Sequence, residues 1–101
     1  MAEQIPGALL ARELVARAKT AALSTLALRP AGYPFGSLVA LAADDAGRPL
    51  LLLSKLAEHA KNLAADPRAS LLVTGGDGAS PLAEPRVTVL GPCEPLESAD
   101  V

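Results

Sequence analysis

Ser54, Lys55, His59 and Asn62 crowd into one short polar interruption of the stretch LLLLSKLAEHAKNLAADPRASLLV, which otherwise begins and ends like buried strands. On a helix starting after Ser54, the residues Lys55, His59 and Asn62 recur at i, i+4 and i+7 and form one stripe able to act on a single ligand. The start of such a helix offers unpaired backbone N–H groups and the positive end of the helix dipole beside a hydroxyl and an ammonium, a suitable setting for a phosphate. A plain N-cap at Ser54 and a solvated Lys55 account for the same residues. His59, the only histidine in the chain, has three readings: a surface imidazole paired with Glu58 or Asp66, a phosphate contact, or a ligand to a metal or haem.

A second place suited to a ligand is PFGSLV, residues 34–39, where Gly36 removes a side chain from a strand and lets a flat molecule approach the backbone. A packing glycine or bulge explains it equally. Arg86 opens a later strand as a cation free to reach a cofactor or solvent. No residue is assigned a catalytic role. The chain lacks a G-x-S-x-G elbow for a Ser-His-Asp hydrolase, and GGDG lacks the spacing and Lys-Ser/Thr ending of a phosphate loop. One histidine without cysteine partners makes no zinc site, so no metal-ion site is expected.

The elements that would position these residues follow from periodicity. Leu10, Leu14, Val15 and Ala18 recur at helical spacing over residues 7–19, with Pro6 in the first turn. Residues 21–28 read as a strand ended by Arg29, Pro30 and Gly32. Two apolar runs, 35–43 and 49–54, flank the turn-forming residues 44–48, which predicts a hairpin. In the first run Phe35, Ser37, Val39 and Leu41 share one face, and Gly36, Leu38 and Ala40 the other. The helix after Ser54 carries an apolar stripe of Leu56, Ala60, Leu63 and Ala64 and ends at Asp66 and Pro67. Residues 68–74 form a fourth strand, 74–85 a loop, and 86–96 a fifth strand bent at Gly91 and Pro92. The order α-β-β-β-α-β-β, with mostly antiparallel strands, indicates a small barrel or open sheet with helices at its ends.

Composition bounds the function. The 101 residues are half apolar but include one Tyr and one Phe, which gives a single folded domain, residues 1–101, with an aliphatic core. A domain of this length buries only about 60–65% of its unfolded surface, so a partner is expected to stabilise it. A net charge of −2 leaves no basic excess for nucleic acid, whereas a small anionic ligand needs only a few local cations. The single cysteine, Cys93, reads as a half-buried strand residue rather than a reactive thiol. With Glu3 and Pro6 where a secretory apolar region would lie, and no run long enough to span a bilayer, the chain reads as soluble and cytoplasmic.

Three blocks carry a resemblance across about residues 8–97: ARELVARAKTAALSTL, GYPFGSLVALAADDAGRPLLLLSKLAEHAKNLAADPRASLLV and EPRVTVLGPCEPL. In order and spacing they resemble the pyridoxamine 5′-phosphate oxidase-like superfamily of FMN-binding split barrels, and within it the branch related to haem-utilisation proteins of the HugZ type. The resemblance implies a mainly β (α+β) fold, a split β-barrel with short helices at its ends. The family continues beyond the region matched here into a further helix and a sixth strand. It also implies a homodimer with cofactor sites at the subunit interface, and an FMN-dependent oxidoreductase acting on a small molecule. By position, Ser37, Leu38 and Val39 match the strand beside the flavin, and Ser54, Lys55 and His59 match the segment that takes the FMN phosphate and ribityl chain. Asn62 completes that stripe. Arg86 matches a strand position facing the cofactor of the other subunit. Pyridoxamine oxidases carry an Arg-rich strand and an Arg-Lys pair where this chain has Ser37, Glu58 and His59. Two other functions fit the same fold: haem binding, with His59 as the available imidazole, and a cofactor-free dimerising module.

Overall fold

A computed structural model describes residues 7–76 and 78–96. Its elements are α1 (Gly7–Arg17), β1 (Thr20–Leu26), β2 (Pro34–Ala43), β3 (Pro49–Leu52), α2 (Glu58–Ala65), β4 (Arg68–Thr74), a 3-10 turn (Pro81–Ala83) and β5 (Arg86–Pro92). The element order is the one expected from periodicity, with the 3-10 turn added inside the long loop. Pro6, expected in the first turn of α1, lies outside the described residues.

The five strands form one antiparallel sheet in the order β3-β2-β1-β4-β5. Alternation along each strand sorts the side chains onto two faces. The inner face carries Ala21, Leu23, Val39, Leu41, Leu71 and Val73, which join Leu14 and Val15 of α1 and Leu63 of α2 in one buried cluster. Both helices therefore cover the same side of the sheet. The edge strands β3 and β5 contribute to one apolar cleft of about 700 Å³, together with Leu23, Leu63 and Leu71. Two strands separated by three others can line a common cleft only if the sheet curls, which makes the molecule a half-barrel.

Turn chemistry sets the hairpins. Asp44 accepts hydrogen bonds from the Arg48 backbone N–H at 2.8 Å and the Ala46 N–H at 3.0 Å, and its second oxygen takes Arg48 Nε at 2.6 Å. Gly47 follows at φ +83°, a left-handed conformation that favours glycine. Across the β1–β2 connection the Ala27 N–H donates to the Tyr33 carbonyl at 2.7 Å, and the Arg29–Pro30 peptide is cis. Cys93 is half-buried, and burial raises its thiol pKa, as suits a strand-end packing residue. No helix among the described residues is long and apolar enough to cross a membrane.

Candidate functional site

The register of the sheet relates two of the sequence-predicted segments. On β2 and β3 the last pair is Ala40 opposite Leu52. The β2–β3 ladder thus ends two residues short of Leu38 on one strand and of Ser54 on the other.

Beyond Ala40 toward its start, β2 pairs with β1 alone: β1 covers residues 34–40 of β2, whereas β3 pairs only with 40–43. Residues 34–39 therefore present a free edge of main-chain donors and acceptors. Gly36 has open space where a Cβ would stand. Sequence reasoning missed this edge, although the unequal lengths of the two apolar runs, 35–43 and 49–54, carry the signal that β2 outruns its partner.

The side chains of the three β2 residues divide between environments. Val39 is 5% exposed and belongs to the core, so its side chain is not available to a ligand. Ser37 is half-buried on the inner face, opposite Leu23 on β1. Leu38 is on the outer face and 78% exposed.

The Ser54 segment differs from expectation. Ser54 is not the N-cap of α2: the helix begins at Glu58, and Ala57 is its N-cap, with no side-chain capping bond. The Ala57 N–H donates to the Ser54 carbonyl at 3.1 Å, and Ser54 Oγ accepts from the Leu56 N–H at 3.3 Å. Residues 54–57 are thus spent on a closed turn, and the helix starts a turn later than its apolar spacing implied. Leu56 accordingly leaves the expected apolar stripe and is 84% exposed. Lys55 precedes the helix, so Lys55, His59 and Asn62 do not form one helical stripe. Lys55 is exposed and lines the cleft between β3 and β5.

His59 is in the first turn of α2 and half-buried. Glu58 instead approaches Lys61 at 3.8 Å, and Asp66 pairs with Arg68 at 2.7 Å. Neither acid holds the imidazole, and among the described residues it has no hydrogen-bond partner.

Asn62 turns inward. It is 2% exposed, its Nδ2 donates to Thr25 Oγ1 at 3.0 Å, and its Oδ1 accepts from the Leu28 N–H at 3.1 Å. These bonds give it to the seating of α2 on β1. Arg86 opens β5 on the outer face and donates from one guanidinium nitrogen to the Leu82 carbonyl at 3.2 Å. Arg86 is not among the residues that line the cleft with Lys55.

The outer face holds a further feature. Leu38, Leu52, Leu72 and Leu90 all project from it, 78%, 83%, 38% and 76% exposed, with Ala22 and Ala40 between them. An antiparallel sheet can leave one face to water, but such a face is ordinarily polar.

Comparison with known proteins bears on these features. A model of the family described as pyridoxamine 5′-phosphate oxidase matches residues 10–101. The chain is 49% identical over 51 residues to a chloroplastic haem oxygenase, HOZ, of Arabidopsis thaliana, a match covering 50% of this chain and 16% of the plant protein. The solved structure of a haem-binding protein from Mycobacterium smegmatis superposes with a TM-score of 0.85 at 35% identity, over 98% of this chain and 40% of that one. HutZ, a haem storage protein of Vibrio cholerae, superposes with a TM-score of 0.62 at 25% identity, over 78% of this chain and 55% of its own. This chain spans between 16% and 55% of the lengths of these three relatives.

Proposed function

Because the chain belongs to the pyridoxamine 5′-phosphate oxidase family, and its fold is that family's split barrel, we propose that it binds a planar redox cofactor, haem, as a homodimer. The observation that carries the choice of haem is the half-buried imidazole of His59, left without a hydrogen-bond partner among the described residues. The names of the relatives, a haem oxygenase, a haem-binding protein and a haem storage protein, support it.

The available groups suit such a ligand. His59 offers a ring nitrogen to iron. Lys55 offers an ammonium to a propionate, and the exposed Leu38 offers apolar surface to a flat ring. Haem, when bound, supplies iron-centred redox chemistry, while the protein supplies binding, orientation and exclusion of water.

A second reading, an FMN-dependent oxidoreductase, is favoured by the free edge of β2. Main-chain groups of Ser37, Leu38 and Val39 would hydrogen-bond the ring edge, and Ser54 and Lys55 would meet the phosphate. FMN would supply hydride and electron transfer.

Both readings use the dimer. Two copies joined through the outer faces would bury the leucine rows.

The test is an absorbance spectrum of the purified protein across the near-ultraviolet and visible range, before and after adding haem and, separately, FMN. A Soret band that survives desalting and shifts in His59→Ala supports haem. Flavin bands retained in its place, weakened by Lys55→Ala, support the second reading. A protein that retains neither overturns both and leaves a dimerising module without a cofactor.

A further inference from the structure

Asn62 is one of three large side chains in the described chain that are essentially inaccessible, with Leu23 and Val73, and the only one that is polar. A buried amide costs free energy unless it is paired, so its partners repay attention. Both are distant in sequence: the Thr25 hydroxyl, itself 2% exposed, and the Leu28 backbone N–H, which lies 34 residues away.

The helix that carries Asn62 has little else to orient it. α2 has eight residues, and its single buried apolar side chain is Leu63. The remaining residues of its apolar side are alanines, which slide and rotate on a sheet at small cost. A helix of this length is marginal by itself. Leu63 supplies burial, whereas the two directional bonds of Asn62 set rotation and position.

The bonds connect the two parts of the candidate site. His59 precedes Asn62 by one helical turn, so the angle that sends Asn62 inward also holds His59 at the rim. On the other side, Thr25 pairs with Phe35 and Ser24 with Gly36 across β1 and β2. Leu28 starts the loop that leads into the free edge of β2. One side chain therefore ties the His59 segment to β1, which pairs with β2 along the edge opposite the free one, and to the loop that leads into β2.

We infer that Asn62 is a positioning residue for the cofactor site, fixing His59 relative to the free edge of β2 through the Thr25 hydroxyl and the Leu28 amide. The inference rests on the proposed function for its ligand and on the geometry alone for its mechanical part. It gives Asn62 no contact with the cofactor.

Three variants test it: Asn62→Leu with Thr25→Val, which removes both polar side chains at similar volume; Asn62→Leu alone; and Thr25→Ser, which keeps the hydroxyl. In the ligand-free protein, amide hydrogen exchange and amide shifts are read at Leu28, residues 34–37 and His59. In the loaded protein, the haem dissociation constant and Soret position are read well below the melting temperature. The expected result is a native circular dichroism spectrum in all three, faster exchange at Leu28 and shifted His59 signals in both Asn62 variants. Haem affinity should fall about tenfold in them, and Thr25→Ser should behave as wild type. Unchanged affinity and unmoved His59 signals in the folded double variant would overturn the inference. So would a loss of affinity that only follows the unfolded fraction. If wild type binds no haem, the functional reading fails while the ligand-free signals still decide whether Asn62 links the two segments.

Discussion

Leu38 and Leu52 are diagonal neighbours on the outer face of the sheet, one strand apart, and 78% and 83% exposed. In the homodimer proposed above, leucines so placed on an uncovered face would lie in the interface. Leu38→Asp combined with Leu52→Asp is expected to leave the fold intact, because neither side chain packs in the core. It should convert a dimer into a monomer at micromolar concentration, as read by sedimentation velocity. Monomeric wild-type protein under the same conditions would refute the dimer.

Gly36 separates cofactor effects from folding effects. A Cβ there meets no atom within 4 Å, and the residue does not adopt a positive φ. Gly36→Val should change stability by less than about 0.5 kcal/mol while weakening cofactor retention, since the methyl groups would occupy space a flat ligand needs. Retention equal to wild type would remove Gly36 from the site.

Gly76 is the opposite case. It adopts φ +98°, and an added Cβ would stand 2.5 Å from Glu84 Cδ. Glu84 is held in place by the Gly78 N–H, which donates to it at 2.6 Å. Gly76→Ala should destabilise the protein by about 1–3 kcal/mol through strain and displacement of Glu84. Urea unfolding followed by circular dichroism measures this, and a midpoint equal to wild type would contradict the strain.

Acid should weaken the β2–β3 turn and the α2–β4 connection. The carboxyl pKa of Asp44 is lowered chiefly by the Arg48 backbone N–H, and that of Asp66 chiefly by the Arg68 side chain. A depressed folded-state pKa stabilises above the unfolded value, about 3.9, and that contribution disappears as pH falls through the folded value. Replacing both by Asn should lower the urea midpoint at neutral pH, with the gap closing as the pH is taken toward about 2. A gap independent of pH would show that charge plays no part.

Much of the fold was legible in the sequence because its signals are local. Alternation separated Val39 and Leu41 from Leu38 and Ala40, and the residues at 44–48 announced their turn. The Ser54 helix was misread at its start for a physical reason: Ser54 serves a turn as readily as a cap, and nothing in the spelling of SKLAEH says which backbone group its hydroxyl will meet. Asn62 was misread similarly, since its helical spacing from His59 is visible in one dimension, whereas Thr25 and Leu28 become its neighbours only when α2 lies across β1.

The sequence by itself determined the elements, their order, the aliphatic core and the family, because periodicity, turn residues and the three quoted blocks lie along the chain. Only the tertiary structure decided which strand edge stays free, which leucines are left on an uncovered face, and that Lys55 lines the cleft while Arg86 does not. Those are properties of register and curl, set by pairings between residues that sequence separation keeps apart.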